Sequence, residues 1–85
     1  MTPDQTIAVI KFMSAHGADR VKLKALNPRF NKYTAGRFTL GVWADGTCIH
    51  WKGELKHLDN GPAVFGWKAS ENGWWKNGKQ IPAPA

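Results

Sequence analysis

Cys48 and His50 stand two residues apart, His57 follows, and His16 lies far upstream. A thiolate and imidazoles are zinc donors, and a thiolate beside an imidazole is also the pairing used in nucleophilic catalysis. The spacing argues against both. Zinc sites draw paired ligands from tight turns, at spacings this chain lacks. Side chains at i and i+2 of a strand lie parallel rather than pointing at each other, so His50 is badly placed as a base for Cys48. The expected state is a buried cysteine with solvated or hydrogen-bonded histidines, and neither metal nor cofactor. Gly41, Gly46, Gly53 and Gly61 fall at turns and strand ends, without the glycine-lysine-serine signature of a phosphate loop. Asp45, Asp59 and Glu71 fall at turns and form no pair by spacing. No catalytic residue is assigned, and the chain is read as not an enzyme.

Charge is the stronger signal. Arg20, Lys22, Lys24, Arg29, Lys32 and Arg37 occupy one stretch with no acidic residue between them. Elsewhere basic and acidic residues balance, so the formal excess of +6 lies within that stretch. Charge concentrated in this way argues for an acidic partner. Phe30, Tyr33 and Phe38 lie among the cations; lysine and arginine neutralise phosphates, and exposed aromatics stack on bases. The competing reading is a solvated strand face whose aromatics turn inward to complete a small core.

The elements that position these residues follow from local pattern. Thr2-Pro3-Asp4-Gln5 carries a cap, a first-turn proline, an acid at the positive helix end and the glutamine of a capping box. Ile7, Ile10 and Met13, then Val9 and Phe12, supply an apolar face, with Gln5, Lys11 and Ser14 polar. Gly17 ends the helix, which is expected from about Pro3 to His16. Arg20 to Leu26 alternates, with Val21, Leu23 and Ala25 on one side and Arg20, Lys22 and Lys24 on the other. That predicts a strand with a cationic outer face, a short helix being the alternative. Asn27-Pro28 closes the element, and Asn27 to Gly36 reads as a loop. Further strands are expected over Arg37–Trp43, Thr47–Trp51, Pro62–Trp67, Gly73–Lys76 and Lys79–Ile81. The fold class is α+β: one N-terminal helix packed on an antiparallel β-meander of five to six short strands. It forms a single domain over 1–85, with the helix at about 3–16, the meander at about 20–81 and a flexible tail at 82–85.

All five tryptophans lie between Trp43 and Gly78. Trp43 and Trp51 are eight residues apart, Trp67 and Trp75 repeat that spacing, and Lys52 and Lys76 follow in register. With Asp45-Gly46, Asn60-Gly61-Pro62 and Asn77-Gly78 as turn signals, this suggests one hairpin unit used twice, coincidence being the alternative. Trp43, Trp51, Trp67 and Trp75 are expected in the core. Trp74 should point away from Trp75, so one of the two faces solvent or a partner.

Asp45-Gly46-Thr47 through Trp51, His57 to Ala63 and Trp74 to Lys79 resemble the tryptophan- and glycine-rich hairpin repeats of many small bacteriophage proteins. Those repeats are loosely similar to the membrane-occupation-and-recognition-nexus type. The resemblance covers about the C-terminal half. It implies a small phage- or prophage-encoded accessory protein without a general catalytic site.

One cysteine excludes an internal disulfide, and no apolar run approaches the ~20 residues that span a bilayer. A cytoplasmic protein without a membrane partner is expected, in the host cytoplasm if phage-encoded. The favoured reading is a non-enzymatic module that engages nucleic acid, or a host complex handling nucleic acid, and acts by occupancy. Its contact residues would be Arg20, Lys22, Lys24, Arg29, Lys32, Tyr33, Arg37 and Trp74. The alternatives are a protein–protein inhibitor with a tryptophan-rich face, and a structural protein that self-associates through an edge strand near Pro62 or Ile81.

Overall fold

Thr2 caps the first helix as its sequence demands. Its hydroxyl accepts from the Gln5 backbone N–H at 3.2 Å, and Gln5 Oε1 accepts from Thr2 N at 2.9 Å. Helix α1 runs Pro3–His16 and stops at Gly17, whose φ of 82° suits a residue without Cβ. The computed structural model describes residues 1–27 and 29–84, so Pro28 and Ala85 lie outside the described residues.

Among the described residues, eight strands follow: β1 Lys22–Asn27, β2 Phe30–Ala35, β3 Phe38–Trp43, β4 Cys48–Lys52, β5 Leu55–Lys56, β6 Val64–Phe65, β7 Trp74–Lys76 and β8 Lys79–Ile81. Strands β1 to β5 form an antiparallel meander, and β6 also pairs with β4, making six strands in one sheet. β5 lies beside Trp51–Lys52 while β6 lies beside Cys48–Ile49, so the two share one flank of β4. β7 and β8 form a separate hairpin. It is tied back by Leu58 N to Trp75 O at 3.1 Å and Gly78 N to Lys56 O at 3.0 Å. The α+β architecture of a helix on an antiparallel meander is therefore what the chain adopts. Among the described residues, no helix is long and apolar enough to cross a membrane.

Several local expectations change. Residues 30–35, read as part of a loop, form the strand β2, which pairs along its whole length with β3. The helix turns a different face inward. Gln5, Ala8 and Phe12 are buried, whereas Ile7 and Ile10 are 50% and 58% exposed. Gln5 is fully buried because its amide has backbone carbonyls to bond, which removes the desolvation penalty.

The helix-side core joins Ala8 and Phe12 to Tyr33, Leu40, Val42 and Cys48, and contains no tryptophan. Trp43, Trp51 and Trp75 pack partly buried around a second, smaller cluster of Ile49, Ala63 and Val64. Trp67, expected inside, is 46% exposed and lies outside the strands. Trp43 and Trp51 therefore sit in one β3–β4 hairpin, while Trp67 and Trp75 are joined by a turn. Their equal spacing does not correspond to two equivalent units.

Candidate functional site

Register decides which side chains share a face, because directly opposed residues in an antiparallel pair project together. Lys24 opposes Lys32, Lys32 opposes Gly41, and Gly41 opposes Ile49, giving one row across β1 to β4. The adjoining row is Lys22, Thr34, Thr39 and Trp51. On the other side of the first row, Phe30 opposes Trp43. The alternating positions Tyr33, Leu40 and Val42 pack under α1. These lysines and rings therefore occupy the opposite, open face of the sheet.

The rings form a connected series. Phe30 stacks on Trp43 with centroids 4.4 Å apart and planes 21° apart. Trp43 meets Trp51 edge-on at 6.1 Å and 62°. Both indoles converge over Gly41, where a Cβ would lie 2.8 Å from Trp43 Cη2 and 2.9 Å from Trp51 Cζ3. A glycine within a strand marks a close approach of this kind. Phe30, Trp43 and Trp51 each keep part of their surface in solvent.

Beside the rings lie the cations. Lys22 and Lys24 are exposed and Lys32 is half-buried. Among the described residues, no ion pair joins any of the three to a carboxylate. Arginines at the sheet ends complete the basic stretch. Arg20 and Arg37 line a depression of about 300 Å³ with His16 and Phe38, at the β2–β3 turn. Arg29 is exposed in the turn between β1 and β2, with its carbonyl accepting from Ala44 N at 2.8 Å. The six basic residues thus divide into an open-face trio, a pair at one end and a single arginine at the other.

Two of the sequence-derived contact residues lie elsewhere. Tyr33 is 8% exposed on the helix side, so its ring is not open to a stacking partner. Trp74 is half-buried in the β7–β8 hairpin, apart from the lysine rows. The rings that do join the cations are Phe30, Trp43 and Trp51. Gly41, expected at a turn or strand end, lies inside β3 instead, and a glycine two residues before a tryptophan is the sequence feature that marks these rings.

The remaining polar groups make contacts within the fold. Cys48 is fully buried, and burial pushes its thiol up to about 12. Burial lowers the pKa of His50, an effect only partly offset by its contact with Ala63. Nδ1 of His50 lies 3.2 Å from the Ala63 carbonyl oxygen, which fixes that nitrogen as the donor. His57 accepts from Asn77 N at Nδ1, 3.0 Å away, and places Nε2 3.1 Å from Asp59. Among the described residues, no group of three His, Cys, Asp or Glu side chains is arranged to hold a metal ion. Lys56 pairs with Glu71 at 2.8 Å and lies 4.6 Å from the Trp75 ring centre. That ammonium holds the Glu71 carboxyl below its usual range, aided by the Trp67 indole N–H. A larger depression of about 820 Å³ runs between α1 and residues 58–65, with Ile7, Phe12, Leu58 and Phe65 among its lining. No protein family, curated protein or solved structure matches this chain.

Proposed function

We propose that this chain is a non-catalytic binding module that engages nucleic acid through the open face of its sheet and acts by occupying it. The observation that carries this reading is the Lys24–Lys32 pair. Two ammonium groups oppose each other across neighbouring strands, on the face that bears the tryptophans. Like charges placed opposite each other destabilise a strand pair. A polyanion lying over both converts that repulsion into attraction and releases its condensed counterions. Lys22 extends the same face, and Arg20, Arg37 and Arg29 hold positive potential at its ends. The protein's entire formal excess of +6 supports this one region.

Anisotropy of labelled nucleic acid, measured at rising salt, tests the reading. Affinity should fall steeply as salt increases. Lys24→Glu with Lys32→Glu should weaken binding by roughly tenfold or more. Lys68→Glu with Lys76→Glu, outside the face, should change it by less than about threefold. Equal sensitivity of the two pairs would remove the sheet face as the site.

A further inference from the structure

We infer that the nucleic acid is single-stranded, with bases stacked on the Phe30–Trp43–Trp51 series and phosphates held by Lys24 and Lys32. This rests on the function proposed above and narrows it to one form of ligand. A duplex buries the faces of its bases and is read by a helix or ribbon inserted into a groove. Among the described residues, this face presents no protruding helix or ribbon: it is a sheet surface carrying partly exposed aromatic rings. Such rings reach bases only when the strand is open and the bases can be splayed out.

Charge and ring placement match that geometry. Lys32 opposes Gly41, the residue over which both indoles meet, so its backbone lies about one strand spacing, ~4.8 Å, from the floor of the rings. Lys24 is one strand further out. A cation beside a stacking platform can take the phosphate of the nucleotide whose base is stacked. The platform is also held in place before binding. Trp43 N donates to Thr47 O at 2.9 Å, Trp43 O accepts from Gln5, and the ring is stacked on Phe30. A fixed ring loses little conformational entropy when a base arrives. An acidic peptide would satisfy the lysines but leave the aromatic series without a matching partner. Every base has a π-face, so stacking should show little base preference.

The test uses the intact chain, titrated with oligo-dT, oligo-rU and a DNA duplex of about 12 nucleotides per strand, a length within the usual range of stacking sites. Polyglutamate of matched charge is the fourth ligand. Single strands of either sugar should quench tryptophan fluorescence and bind at least about tenfold tighter than the duplex or polyglutamate. Trp51→Ala should weaken single-strand binding by ~10- to 100-fold and leave duplex binding unchanged. Because Trp51 also packs near Ile49, the wild-type preference and quenching provide a readout that needs no variant. Duplex or polyglutamate binding equal to single strands, without quenching, overturns this inference. Equal duplex binding still leaves the function proposed above standing. Failure of every nucleic acid to bind overturns both.

Discussion

Gln5 Nε2 donates to the carbonyl oxygen of Trp43 at 2.7 Å, across thirty-eight residues of chain. The same nitrogen donates to Thr47 O at 3.0 Å, while Oε1 accepts from Thr2 N. One side chain therefore closes the helix cap and fastens the start of α1 to the β3–β4 turn. It does so on the backbone of a residue whose ring lies on the opposite face of the sheet. Placement of the helix and placement of the Trp43 ring are mechanically joined.

Gln5→Ala should cost about 2–4 kcal/mol, because it deprives two carbonyls of a donor and removes half the capping box. Urea denaturation of the variant measures the loss. Gln5→Glu should be worse at neutral pH, since a carboxylate would then face carbonyl oxygens. A loss below about 0.5 kcal/mol for Gln5→Ala would mean that water replaces the amide without penalty.

Gly41→Ala tests the floor of the aromatic series. The added methyl meets both indoles at less than 3 Å, so the rings must move. We expect a stability loss of about 1–3 kcal/mol and a shifted tryptophan emission maximum. Unchanged emission and stability would show that the rings do not rest on Gly41.

The imidazole of His50 links stability to pH. Burial depresses its pKa below the ordinary 6.5, so in mildly acidic solution the unfolded chain binds a proton that the folded chain refuses. This contribution is fully present above about pH 6.5. It is lost as pH falls toward the folded pKa, at no more than about 1.4 kcal/mol per pH unit. Urea midpoints measured from pH 8 to 5 should decline across that window, and His50→Gln should flatten the decline. Identical slopes for the two proteins would assign the dependence to other groups.

Cys48 should react with thiol reagents only through opening of the fold, because it is fully buried and its thiolate is suppressed by burial. Labelling rates should rise with urea in step with the unfolded fraction. Cys48→Ala should cost on the order of 1–2 kcal/mol, from lost packing alone. Rapid labelling of the native protein would show that β4 opens locally.

The sequence alone determined the features that depend on neighbours along the chain. Thr2, Pro3 and Gln5 set one end of α1 and Gly17 the other, because a helix cap is completed within a few residues. Alternation placed strands β1 and β3, since period-two patterning needs no knowledge of a partner, and the Asp45-Gly46 turn signal placed β4 as the returning strand. β2 escaped detection because its short stretch places the polar Lys32 and Thr34 on one face and the polar Asn31 on the other, beside Tyr33 and Ala35. The side of a sheet to which a residue belongs is likewise not local. Pairing register sends Tyr33 under the helix and brings Lys24 and Lys32 into line with Gly41, and a one-residue slip would reverse every one of those assignments. The burial of Gln5 and the exposure of Trp67 also came from tertiary structure. Two distant carbonyls make a buried amide affordable, and a tryptophan beyond the strand ends has no sheet to cover it.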